Sequence, residues 1–229
     1  MMKVPKASRL RYAALLSGSL LLAGAAHSQA NLSYNVYLNT ASLVGNSNGP
    51  FSLDVVLGSG SQTPNSDNTV TLSNFVFVNG SLGTISFTSG GVTGTMASTV
   101  TLTNSSEDNE FAETFSNTVT QIQFSVNMTS NTNNPFPDQF NVLILDGGLN
   151  NIPTTDPNGG NTLVLANINT GQTLASVQTY QSTATGEAPG VTAAVPEPGT
   201  VASMLAGLGA LGVYLRGRKS RGARCGQIG

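Results

Sequence analysis

Carboxylates are the only side chains charged at neutral pH between Asn31 and Val195: Asp54, Asp67, Glu107, Asp108, Glu110, Glu113, Asp138, Asp146, Asp156 and Glu187. That stretch contains no Lys, Arg, His, Cys or Trp. Its chemistry is therefore narrow. Without His or Cys there is no Ser-His-Asp or Cys-His nucleophile, and no ordinary zinc site. Without Lys there is no Schiff base. Without Lys or Arg, nucleic acid is excluded as a partner, because such affinity rests on cations. Two acids can support glycoside hydrolysis, but the chain has no Trp to floor a sugar site, and the expectation is a protein that is not an enzyme. An aromatic platform for a sugar would come from Tyr34, Tyr37 or Phe136.

The one cofactor these residues suit is calcium, since a hard cation takes oxygen ligands. Two stretches offer them. "NSSEDNEFAE" carries Glu107, Asp108 and Glu110, with Glu113 following; "DPNGGN" carries Asp156 and Asn158. Neither has EF-hand spacing, and Asn/Gly/Pro clusters also occur for turn geometry alone. No other cofactor is expected.

The elements that must position these acids read as strands. Nine stretches alternate or run apolar with Thr, Val, Ile and Phe: LSYNVYLN, PFSLDVVLG, TVTLSNFVFVN, TISFTS, GVTGTMASTVTL, TQIQFSVNM, QFNVLILDGG, TLVLANI and TLASVQTY. Turn-rich clusters at 45–50, 58–68, 104–109, 130–137 and 147–160 separate them. The expected fold is all-β, an antiparallel β-sandwich of jelly-roll type with about nine strands over residues 31–180. Residues 181–194, small and polar, are expected to be a flexible linker.

All nine cations lie outside this body. Lys3, Lys6, Arg9 and Arg11 precede a 15-residue apolar run and Ser28-Gln29-Ala30, the layout of a signal peptide over residues 1–30. Arg216, Arg218, Lys219, Arg221 and Arg224 follow residues 200–215, which carry no charge. Sixteen residues of helix are about 24 Å long, a short transmembrane span. The basic cluster after it marks the cytoplasmic side. Pro196 and Pro198 hold the chain extended ahead of the span, with Glu197 between them.

Val195-Pro196-Glu197-Pro198, a Gly/Ala/Leu-rich span and a terminal Arg/Lys cluster, together residues 195–224, resemble the PEP-CTERM sorting signal of exported proteins in Gram-negative bacteria that make exopolysaccharide. The resemblance implies recognition near Pro196-Glu197-Pro198 by exosortase, a membrane-embedded cysteine transpeptidase-like enzyme that removes the span. It implies export through the inner membrane, anchoring in the membrane before processing, and a surface or matrix location among exopolysaccharide afterwards. More loosely, the body resembles small sandwich ectodomains of unassigned function that precede this signal. The extension "GARCGQIG" runs past the usual arginine stop, and its Cys225 falls on the cytoplasmic side. We expect Glu197→Ala to leave export intact and reduce C-terminal processing to background, read as the mass of the chain recovered from its host.

Overall fold

The structure, a computed structural model, describes residues 32–60, 64, 66–129, 136–168 and 176–194. The signal peptide, the sorting motif Val195–Pro198, the span 200–215 and the basic cluster lie outside the described residues. No helix among the described residues is long and apolar enough to cross a membrane.

The described chain is all-β. Its strands are β1 (Leu32–Asn39), β2 (Phe51–Gly58), β3 (Thr69–Val78), β4 (Leu82–Ser89), β5 (Gly91–Gly94), β6 (Thr99–Thr103), β7 (Asp108–Phe115), β8 (Gln121–Met128), β9 (Asp138–Leu145), β10 (Val164–Ile168), β11 (Ser176–Thr179) and β12 (Gly190–Ala193). One 3-10 turn, Ala41–Leu43, follows β1. The first sheet has the order β12-β1-β8-β3-β6-β5, and the second β11-β10-β9-β2-β7-β4. All pairings are antiparallel. The pairs β1·β8, β2·β7 and β3·β6 nest around the β4–β5 reversal, which is the winding of a jelly roll. β5 departs from it by joining β6 in the first sheet.

Twelve strands replace the nine expected, for three identifiable reasons. "GVTGTMASTVTL" is a hairpin and not one strand. Thr95 N–H bonds Thr99 O, and Gly94 stands at φ +90°, where a Cβ would lie 1.9 Å from Thr99 O. β7 hides in the acidic stretch because two of its inward positions, Asn109 and Glu113, are polar. Both have partners: Asn109 Nδ2 donates to Leu57 O at 3.0 Å, and Glu113 Oε2 accepts from Met96 N–H at 2.9 Å. The third is β12, within the stretch expected to be a linker. Residues 181–194 are instead fastened to the sandwich. Thr155 N–H bonds Gln181 O, Thr183 N–H bonds Pro153 O, Glu187 accepts from Asn39 Nδ2 at 2.7 Å, and β12 pairs with β1 over four residues.

The core follows from alternation. Leu32, Tyr34, Val36 and Leu38 face inward from β1, opposite Met128, Val126, Phe124 and Ile122 of β8. Phe51, Leu53, Val55 and Leu57 supply the facing layer from β2. Phe51 stacks on Phe115 at 6.3 Å, and Phe75 on Phe124 at 5.4 Å. The far end of the core is polar. Asp138 Oδ2 accepts from Asn68 Nδ2 at 2.5 Å and Asn104 Nδ2 at 2.6 Å, and its Oδ1 accepts from Gly60 N–H at 2.7 Å. Leu53→Ala, at a position 0% exposed, should lower unfolding stability by about 2–5 kcal/mol, whereas Val76→Ala, at 49% exposure, should change it by less than about 0.5 kcal/mol in the same denaturant titration.

Candidate functional site

The site is the outer face of the second sheet. In β2 the period of two that buries Leu53 and Val55 turns Ser52, Asp54, Val56 and Gly58 outward. Register then sets their neighbours. Val56 lies between Glu110 of β7 and Asn141 of β9, and Asn141 pairs onward with Leu165 of β10. Asp54 lies between Ala112 of β7 and Leu143 of β9. Gly58 lies between Asp108 and Gln139. Carboxyls thus occupy the β2–β7 side of the face and amides the β9–β10 side.

A groove of about 290 Å³ runs over the amide side. Val56, Leu143 and Leu165 give it an apolar floor; Gln139, Asn141, Thr162, Asp156 and Asn158 rim it. Asp156 shapes the loop that forms the far wall. Its Oδ1 accepts from Asn158 N–H at 2.9 Å and its Oδ2 from Thr162 N–H at 3.3 Å. Across the sheet, a bulge in β4 sets two residues, Ser86 and Phe87, against Ala112. Ser86 Oγ reaches Ser52 Oγ at 2.9 Å, and Phe87 is 41% exposed beside the small Ala112.

Asp54 is the most perturbed acid of the face. It is 2% exposed, and its Oδ1 has no hydrogen-bond partner. Burial, and then the nearby charge of Glu110, push its carboxyl up to about 8. Glu110 is also raised, by burial and by Asp108. Asp146, in the turn after β9, is lowered, chiefly by the backbone N–H of Asn150. An unpaired buried acceptor costs about 1–3 kcal/mol, and protonation of Asp54 is the cheaper state where no cation is at hand.

Of the residues expected to hold calcium, Asp156 and Asn158 line the groove, and Glu110 stands one strand beyond its floor. Asp108 is exposed at the start of β7, and Glu107 is exposed in the turn before it. Among the described residues no group of three His, Cys, Asp or Glu side chains converges as a metal would require. The residues expected to offer an aromatic platform fall in different places. Tyr34 belongs to the core. Tyr37 faces out of the first sheet beside Gly190, away from the groove. Phe136 is 61% exposed just before β9. The aromatic ring on the groove's own sheet face is Phe87, which strand-by-strand reading did not single out. Asp54, Gln139, Asn141 and Thr162 were missed as well. Alternation turns Asp54, Gln139 and Asn141 outward, but which strands stand side by side is not written in any one of them.

Residues 194–219 match the family model of the PEP-CTERM protein-sorting motif. The match takes in Val195, Pro196, Glu197 and Pro198, the apolar run and the first three basic residues. This motif is the recognition signal of exosortase, and it marks an exported chain with a membrane-anchored C-terminal sorting signal. No curated protein and no solved structure matches the chain.

Asp54 gives the fold a pH signature. The unfolded chain releases this proton near its ordinary value of 3.8, the folded chain only near 8. Across that window the unfolded state holds fewer protons, so stability falls as pH rises. Melting temperature should decline from about pH 4.5 to 8, by an amount worth on the order of a few kcal/mol. Asp54→Asn should flatten the decline and be the more stable protein at pH 8; an unchanged profile would show that Asp54 is ionised in the folded chain.

Proposed function

We propose that this exosortase substrate is a non-catalytic component of the cell surface or extracellular matrix, and that it associates with exopolysaccharide through the outer face of the second sheet. The observation that carries the reading is the groove: amide, hydroxyl and carboxyl groups rim an apolar floor. That is the complement of a sugar, whose hydroxyls need polar partners and whose C–H faces need apolar ones. Phe87, across Ala112, extends the face with an exposed ring. Anionic or neutral amide-rich surfaces also resist attachment to nucleic acid, and residues 12–215 contain no Lys or Arg.

Glu110 is close enough to Asp54 to raise its carboxyl, and a pair of carboxyls is the equipment of a glycosidase. Both rise from the same sheet, on its one outer face. A sugar lying there has both acids beneath it, whereas hydrolysis needs carboxyls on opposite sides of the scissile bond. The geometry therefore favours holding over cutting. A calcium-binding role finds less support: the Asp156 carboxylate is taken up by the N–H groups of its own loop.

The test is retention of the processed protein on exopolysaccharide from its host. Gln139→Ala combined with Asn141→Ala should reduce retention by about tenfold, the loss of two or more sugar hydrogen bonds. A chelator should leave it unchanged. Full retention by the double variant would remove the groove from the interaction, and loss on chelation would favour the calcium alternative.

A further inference from the structure

We propose that β4 is the seam of a dimer, joining the second sheets of two copies of this chain edge to edge and antiparallel. The first observation behind this is length. Of the four strands that end the two sheets, β5, β11 and β12 have four residues each. Very short edges are a common guard against pairing with another chain. β4 has eight residues, Leu82–Ser89, and pairs on one side only, with β7. It holds no Pro and no charged side chain. Two register shifts against β7 bend the strand without shortening it.

The second observation is incomplete burial along that edge. Ile85 lies opposite Glu113, an inward position of β7, yet it is 47% exposed. β3, which runs into β4 through residues 79–81, is open here as well. β6 follows it only to Ser73, and Val76, Phe77 and Val78 pair with β8 alone. Six large apolar side chains are exposed among the described residues, and three of them, Val76, Ile85 and Phe87, belong to this β3–β4 unit. Val76 stands beside Gln123 on the outer face of the first sheet, and Phe87 beside Ala112 on that of the second. A strand laid along β4 takes up its free backbone groups and covers Ile85 in the same step.

Charge selects the occupant. Every acid of residues 31–195 lies outside residues 68–106, and that neutral stretch makes β3 to β6. Acid-bearing surfaces of two copies repel one another, with no cation in the body to offset them; this edge lets copies meet without that cost. A cationic partner gains more at the acids than here. Charge also selects the antiparallel arrangement. Glu110 stands one strand in from the Ser89 end of β4, where the Leu82 end has Phe115. Antiparallel pairing sets the acidic end of each copy beside the neutral end of the other, and keeps the two acidic ends about 20 Å or more apart. That exceeds the screening length of about 8 Å at physiological salt. Parallel pairing brings the acidic ends together. The antiparallel seam has a closed twofold axis normal to the joined sheet. Both outer faces then look the same way, and the two grooves lie on one surface.

The experiment is sedimentation of the processed protein from its host over a concentration series, with amide hydrogen exchange on the same samples. The natural protein should pass from single copies to pairs as concentration rises, and exchange in β4 should slow in step. Ile85→Asp, which sets an acid on the seam in both copies, should raise the dissociation constant by about tenfold or more. Unchanged exchange in β1 and β8 will show that this variant is folded. Leu149→Asp, at an exposed apolar position in the turn after β9, should leave the constant unchanged. A natural protein that stays single at every concentration, a dimer whose β4 amides exchange at the single-copy rate, or a folded Ile85→Asp that pairs as before overturns the proposal. So does a strand of another protein found protecting β4 in place of a second copy.

Discussion

No cation is available anywhere in the folded body, and that constraint governs how every acid in it is housed. A buried carboxylate elsewhere is commonly matched by Arg or Lys. Here the only donors are amides, hydroxyls and the backbone. Asp138 shows the full solution, with two Asn side chains and one backbone N–H closing the end of the core. Glu113 uses the N–H of Met96 at the β5–β6 turn. Asp146 and Asp156 fold their own turns around themselves. Asp54 finds no such partner for Oδ1, and proton uptake takes the place of a counter-ion.

The same constraint divides labour between sheets. Stability rests on apolar layers from both inner faces and on sheet hydrogen bonds, since no Lys, Arg or His side chain is there to form an ion pair within residues 31–195. Many outward positions are then left to Ser, Thr, Asn, Gln and the acids, beside Val56, Leu143, Leu165 and Phe87 on the second sheet. On the second sheet these groups are not scattered. Antiparallel register gathers carboxyls on β2 and β7 and amides on β9 and β10, and the loop holding Asp156 closes one side. A surface with that composition suits hydroxylated partners, and repels anionic ones.

Much of the architecture was legible in period-two alternation. β1 and β8 lie where their apolar residues place them, because each buries one face and turns a more polar one out; β2 and β9 follow the same inward alternation although Ser52, Asp54, Leu143 and Leu145 are buried on their second face as well. β7 was obscured since Asn109 and Glu113 sit at inward positions, and only the neighbouring chain supplies their partners. β12 was obscured for the opposite reason: Gly190, Val191, Thr192 and Ala193 carry almost no burial signal, and the strand exists because β1 offers it an edge. The groove was least legible. Its residues come from β2, β9, β10 and a loop, and they meet only through register. Glu110, Asp156 and Asn158 were named by residue type in two separate stretches, and the turn geometry expected of Asn/Gly/Pro clusters is what occupies the Asp156 carboxylate.

The nested pairing of strands also ranks the loops that must close as the chain assembles. β4 and β5 are consecutive at the reversal, β3·β6 and then β2·β7 enclose them, and β1·β8 spans the longest stretch of the three. Closing short loops first costs the least chain entropy, so the cheapest sequence of closures runs outward from the middle towards both ends. β12 can add to the first sheet only when β1 has taken its place, which makes its arrival a report that the outermost of the nested strands is seated.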